Sequence, residues 1–195
     1  MSILKPTLCL LAVTTVSALL LGVLYNITRE PVERQATLRQ AEIISILLPG
    51  TSHTYEESIY KQQDMHPNIH GMVIAYDANN QPLGYVITSQ GPGYAGPVVI
   101  MAGFDTDGIL TGISVLQHRE TPGLGTAILN PVFLAQFEGR TETMTVARMP
   151  SGDNEIAALA SATISTVAVV EGVNAAMEFI RNYVNDRYDK CQNQC

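Results

Sequence analysis

Three short segments carry residue types that can hold a ligand or do chemistry. The first is Ala160-Ser161-Ala162-Thr163-Ile164-Ser165-Thr166, at the start of a long helical pattern. A helix start has unpaired amide N–H groups and the positive end of the helix dipole, so it attracts phosphate. Ser161, Thr163, Ser165 and Thr166 bring hydroxyls to that spot, although Ser161 or Thr163 would serve equally as a plain helix cap. The second segment runs from His118 to Thr126 and follows a strand pattern, where polar residues are often presented. Glu120 offers a carboxylate and Thr121 a hydroxyl, while Gly123 and Gly125, on either side of Leu124, have amides that can face an anion or a ring edge. Ordinary surface charge accounts as well for His118 and Glu120. The third segment, Gly91-Pro92-Gly93-Tyr94-Ala95-Gly96, has the glycines to turn sharply and approach a ligand closely, or simply to close a strained hairpin.

These segments need elements to hold them. Gly71 to Tyr76, Leu83 to Ser89, Val98 to Phe104 and Ile109 to Gln117 are rich in Val, Ile, Tyr and Thr. Turn residues separate them, at 77–80, 91–93 and 105–108, which predicts strands of an antiparallel meander. Asn130-Pro131 predicts a short capped helix ending at Gly139, and Thr143 to Ala147 one more strand. From Ala162 to about Tyr183 the apolar stripe Ile164, Val167, Val170, Val173, Met177, Ile180 and Val184 predicts a long helix. Gly172 in its middle costs roughly 1 kcal/mol against alanine, which predicts close packing there. The fold class is therefore α+β. Residues 51–70 are polar and contain His53, His66 and His70, but Pro67 and Asn68 oppose a helix that would pair the last two. A solvated loop is expected there, and no metal site.

The chain has 195 residues, 46% of them hydrophobic, and a formal net charge of −7. That composition excludes a disordered chain, and the acidic balance argues against nucleic acid as a partner. Leu8 to Tyr25 holds no charged residue and is near the length that spans a bilayer. It is longer than a signal-peptide core and lacks a clear cleavage pattern, so an uncleaved transmembrane anchor over 1–28 is expected, with the lipid bilayer as a partner. Lys5 on the short side places that side in the cytoplasm and the body of the protein outside. Glu30 to Leu48 reads as an amphipathic helix started by Pro31, with Val32, Leu38, Ala41, Ile44 and Leu48 along its stripe. The expected organisation is an anchor (1–28), a linker helix (29–50), one domain (51–186) and a polar tail (187–195). Cys9 lies in the apolar run, and Cys191 and Cys195 lie in the tail. Three thiols fall short of the four that an iron–sulfur cluster wants, and the tail pair is expected to be loose.

The order of segments resembles a known family. Gly93-Tyr-Ala-Gly96, Gly103-Phe-Asp105, Gly108 with Gly112, His118-Arg-Glu-Thr-Pro-Gly-Leu-Gly125 and Ala162-Thr163, opening a helix that continues to Asn174, follow one another in a characteristic sequence. The chain is similar, from the anchor to about residue 184, to the G subunit of the Rnf-type electron-transport complex. It is more distantly similar to the C subunit of the sodium-pumping NADH:quinone oxidoreductase. The resemblance implies an FMN-binding-type domain, an antiparallel sheet flanked by helices. It implies FMN joined through its phosphate to Thr163, with Ser161, Ala162, Ser165 and Thr166 at the phosphate. Tyr94, Glu120, Thr121, Gly123, Leu124 and Gly125 would approach the ring system. A separate flavin transferase would make the bond, using FAD as donor. The partners implied are the other membrane and peripheral subunits of the complex, which pass electrons from reduced ferredoxin toward NAD⁺ coupled to ion movement. The cofactor carries the redox chemistry, so no catalytic side chain is expected. The family's attachment motif runs Ser/Thr-Gly-Ala-Thr, usually with an Asp three residues earlier. Here Ala157, Ala160 and Ser161 stand at the altered positions. They motivate an alternative, a cofactor-free assembly subunit of the same complex.

Overall fold

The computed structural model describes residues 4–57 and 66–192, with side chains described at 6–25, 35–57 and 66–185. The expectation for Cys191 and Cys195 falls outside the described side chains. The chain divides into two units, Met1–Glu42 and Ile43–Cys195.

Helix α1 spans Leu4–Leu47 without a break. Within it, Pro6–Tyr25 has a mean hydropathy of 2.3 and no burial, so by length and composition it is able to cross a bilayer. The expected division at Pro31 is absent. Pro31 removes one helical hydrogen bond, but no glycine or turn residue beside it offers the backbone a competing conformation. The expected stripe is also shortened: Leu38 is exposed, while Ile43, Ile44, Leu47 and Leu48 are buried. The compact second unit thus begins eight residues before position 51, where the sequence reading began the domain (51 − 43 = 8).

That unit is built on one antiparallel sheet whose strands lie in chain order: β1 (His53–Glu57), β2 (Ile69–Tyr76), β3 (Pro82–Pro92), β4 (Pro97–Asp105) and β5 (Leu110–Gln117). The four expected strands are present. β1 was expected as loop because it is polar and exposed, and its charge suits an edge strand. Asp77 and Asp105 close the two turns at one end of the sheet. Each carboxylate accepts two backbone N–H bonds, from Asn79 and Gln81 and from Asp107 and Ile109, at 2.8–2.9 Å. The bond from Gln81 N–H, foremost, holds the Asp77 carboxyl below its ordinary pKa.

After β5 come a 3₁₀ turn (Gly125–Leu129) and helix α2 (Pro131–Leu134), whose cap is Asn130: its Oδ1 accepts from Val132 N at 2.9 Å. β6 (Thr145–Ala147) and β7 (Glu155–Ala157) form a two-stranded parallel ribbon. β7 escaped the sequence reading because three residues carry no usable periodicity. Helix α3 (Thr163–Gln192) closes the fold. It is apolar enough to resemble a second membrane span, but 61% of that stretch is buried, as befits a core helix.

The core lies between α3 and the sheet, where Val169, Val173, Met177 and Ile180 pack with Ile87, Ile100, Phe104 and Leu110. Phe133 and Phe137 join the same cluster. Ile43, Ile44, Leu47 and Leu48 form a second cluster with Ala75, Val86 and Met101. The close packing expected at Gly172 is found. A Cβ there would lie 3.0 Å from Ile100 Cδ1, and the Gly172 carbonyl accepts a 2.8 Å bond from Ser89 Oγ. The start of α3 is thereby fixed against the strand end that carries the glycine hairpin.

Candidate functional site

Three backbone segments meet at the end of the sheet opposite the Asp77 and Asp105 turns. One is the β3–β4 hairpin at 93–96. The second is the loop after β5. The third is the first turn of α3. These are the segments that the sequence singled out, and they enclose one cavity of about 390 Å³. Tyr94, Glu120, Thr121, Leu124, Gly125, Ser161, Ala162, Thr163 and Ser165 all line it. Gly123 and Thr166 do not. Ile164 does, although the helical stripe assigned it to the core. It is 52% exposed, because the first turn of α3 projects past the sheet that buries the rest of the stripe.

Local chemistry explains each segment. Thr121-Pro122-Gly123-Leu124 is a β-turn closed by Leu124 N–H to Thr121 O at 3.2 Å. Gly123 sits at its third position with φ of 80°, which is the glycine position of a type II turn with proline second. Its amide donates to Thr126 Oγ1 at 3.0 Å, so it does not face a ligand. Leu159-Ala160-Ser161-Ala162 is a similar turn, closed by Ala162 N–H to Leu159 O at 3.0 Å. Ser161 occupies its third position with φ of 66°, in the left-handed region that glycine favours. The glycine of the resembled motif thus has a backbone reason, and Ser161 keeps the same shape with a side chain added.

The four hydroxyls at the helix start divide into two pairs. Thr166 Oγ1 donates to Ala162 O at 3.0 Å and accepts from Leu159 N at 3.2 Å. Ser165 Oγ donates to Glu120 Oε2 at 2.7 Å. Both side chains are buried and committed to the protein, so neither is offered to a ligand as the sequence reading expected. Ser161 and Thr163 are exposed, and neither hydroxyl has a hydrogen-bond partner among the described residues. The first backbone bond of α3 runs from Thr166 N to Ala162 O. The amides of Thr163, Ile164 and Ser165 precede it and have no partner among the described residues.

Glu120 is 5% exposed. Its Oε1 accepts from Tyr94 N at 2.8 Å and Ala95 N at 3.4 Å, and its Oε2 is the acceptor for Ser165. Its own amide donates to His118 Nδ1 at 3.3 Å, which turns that imidazole toward the loop backbone. The carboxylate is therefore turned into the walls of the cavity. Around the mouth stand Tyr94, Leu124 and Ile164, which are 73%, 51% and 52% exposed.

The arrangement suits a molecule with an anionic end and a flat apolar part. Unpaired amides at the positive end of a long helix, beside a free threonine hydroxyl, meet a phosphate. Exposed apolar side chains at the mouth meet a ring.

Residues 93–178 match the family described as the FMN-binding domain. The chain is 37% identical over 110 residues to the G subunit of the Na(+)-translocating ferredoxin:NAD(+) oxidoreductase complex of Acetobacterium woodii. That match covers 54% of this chain and spans about half (53%) of the relative's length. It is 29% identical over 180 residues to the G subunit of the ion-translocating oxidoreductase complex of Methanosarcina acetivorans, covering 90% of this chain and 93% of that protein. The fold is similar to the crystal structure of the C subunit of Na(+)-translocating NADH-quinone reductase from Parabacteroides distasonis. The TM-score is 0.51 at 20% identity, over 67% of this chain and 76% of that one. The cavity lies within the residues that match the FMN-binding domain, and over most of its length the chain is similar to G subunits of ion-translocating oxidoreductase complexes.

Proposed function

We propose that this protein is the membrane-anchored flavin subunit of an Rnf-type ion-translocating oxidoreductase, with FMN held as a phosphoester on Thr163. The observation that carries this reading is the coincidence, in one cavity, of a free Thr163 hydroxyl with three unpaired helix-start amides. The amides of Thr163, Ile164 and Ser165 hold the phosphate, with the positive end of α3 behind them. Tyr94, Leu124 and Ile164 bound the space for the ring and shield it from water. The bound FMN supplies one- and two-electron redox chemistry, and the protein supplies position and electrostatics. Attachment is redox-neutral. A phosphorus–oxygen bond forms to Thr163 Oγ1, the pyrophosphate bond of FAD breaks, and AMP leaves. A flavin transferase removes the hydroxyl proton.

The anchor is Pro6–Tyr25, single-pass, with Lys5 on the cytoplasmic side and the domain outside. The domain takes its place among the other membrane and peripheral subunits, on the path of electrons from ferredoxin to NAD⁺. This assembly role is carried by the likeness to the G subunits of such complexes.

The replacement of the motif's glycine by Ser161 favours a second reading, a cofactor-free assembly subunit. The left-handed backbone at Ser161 weighs against it, because the turn that presents Thr163 keeps its shape. The test is intact mass and peptide mapping of protein from membranes with active transferase, beside a Thr163→Val variant. FMN less water on the Thr163 peptide, lost in the variant together with electron flow while the complex stays assembled, is expected. An unmodified Thr163 and unchanged electron flow in the variant would overturn the flavin reading in favour of assembly.

A further inference from the structure

We infer that Glu120 is a positioning residue, a buried carboxylate strut that ties the two walls of the cavity together. Three observations carry this. First, the carboxylate accepts from three groups on two separate elements: the Tyr94 and Ala95 amides on the hairpin and the Ser165 hydroxyl on α3. Second, with 5% exposure the group has left water, so those three donors replace its hydration. Third, the backbone is cut away to admit it. A Cβ at Gly93 would overlap Glu120 Oε1, and one at Gly125 would lie 2.6 Å from Oε2. Neither glycine has a positive φ to require it. At Gly125 the room is taken by Glu120 and its partner Ser165, and at Gly93 it is shared between Glu120 and the closing contacts of the hairpin, the Gly96 carbonyl oxygen and Val98.

The consequence is mechanical. Tyr94 forms one side of the mouth and is 73% exposed, so little packing restrains its ring. Its amide is restrained by Glu120. The same side chain fixes Ser165, whose own amide is one of the three unpaired donors at the helix start. Through Glu120 the aromatic edge of the cavity and its anion-binding end keep a fixed separation. Glu120 lines the cavity, but both of its carboxylate oxygens are committed to the hairpin and to α3, so it acts through these residues. That this spacing serves a flavin rests on the proposed FMN site; that the strut exists does not.

The test is hydrogen exchange at the Tyr94 and Ala95 amides in the full chain, before flavin is attached. A bond to a charged acceptor lost without replacement speeds local exchange by about 10- to 100-fold. Glu120→Asp keeps the charge and shortens the reach, so both amides are expected to exchange about tenfold faster or more. Glu120→Gln keeps the reach; its amide oxygen accepts from Tyr94 and its NH₂ donates to Ser165 Oγ, so protection is expected to return. Ser165→Ala releases the far end of the strut, and a smaller acceleration at the hairpin is expected. Exchange in the middle of β3 and β4 stays unchanged in all three. An aspartate variant as protected as the parent chain, or a glutamine variant no better than the aspartate one, overturns the strut. So does a serine variant that leaves the hairpin amides untouched. Noncovalent FMN, titrated by quenching of its fluorescence, is expected to bind the aspartate variant about tenfold more weakly than the glutamine variant. Parent protein that shows the exchange pattern but neither binds nor carries FMN removes the flavin reading and leaves the strut standing.

Discussion

Ser161 holds the one strained backbone at the mouth of the cavity. A left-handed conformation costs an L-residue roughly 1–2 kcal/mol, and Asn80, also left-handed, sits in a hairpin turn remote from the site. Glycine removes that cost but gains about 0.5–1 kcal/mol of unfolded-state entropy. The balance favours Ser161→Gly by about 0.5 kcal/mol, read as a raised denaturation midpoint. Loss of stability in the variant would mean that the serine hydroxyl has a partner that offsets the strain. If the extra Cβ hinders the transferase, the glycine variant is also loaded with FMN more fully, which mass spectrometry measures directly. Residue types at this site were legible in the sequence, because hydroxyls before an apolar 3.6-residue period mark a helix start. The directions of their side chains were not. Ser165 and Thr166 have the same chemistry as Ser161 and Thr163, and their inward rotation is set by Glu120, 45 residues away, and by the Leu159 turn. No spacing within one segment encodes such a contact.

At the level of elements, the site depends on how closely α3 lies on β3. Gly172 on the helix and Gly91 on the strand face each other across that contact. A Cβ on Gly172 would lie 3.3 Å from Gly91 N, and one on Gly91 would overlap the Ala168 carbonyl oxygen. Backbone cannot rotate out of the way as a side chain can. Gly91→Ala is therefore expected to cost about 3 kcal/mol or more, by forcing the helix off the strand. Gly152→Ala, where nothing lies within 4 Å, is expected to stay within about 0.5 kcal/mol of the parent. Equilibrium denaturation compares the two, and equal losses would refute the packing argument. Gly172 was readable in advance because a glycine in a helix needs a reason. The sequence places Gly91 in the hairpin turn, because Gly-Pro-Gly normally ends a strand, yet β3 runs on through Gly91 and Pro92 to pair with Pro97. Strands β2 to β5 and helix α3 were legible from residue type and period. β1 and β7 were not, since one is a polar edge and the other is three residues long, and both are held by pairing with distant partners.

Taken as a whole molecule, the chain reads as an anchor followed by a domain, but the domain does not start where the composition changes. A polar stretch after Pro49-Gly50 suggests a boundary, whereas Ile43, Ile44, Leu47 and Leu48 are 4–8% exposed and belong to the cluster with Ala75, Val86 and Met101. The fit is close: a Cβ on Gly103 would lie 2.9 Å from Leu47 Cβ. Periodicity showed an apolar stripe in this helix but could not show what covers it. Burying four such side chains contributes on the order of 5 kcal/mol, comparable with the whole stability of a small domain. A chain beginning at residue 51 is therefore expected to aggregate or to melt far below the parent. A chain beginning at residue 35 lacks the Pro6–Tyr25 segment and keeps the four side chains, so it is expected to be soluble without detergent and to fold cooperatively. Thermal unfolding of the two truncations decides the matter. Similar midpoints would show that the end of α1 is a tether resting on the sheet, whereas a large gap would make the last turn of α1 part of the core of the second unit.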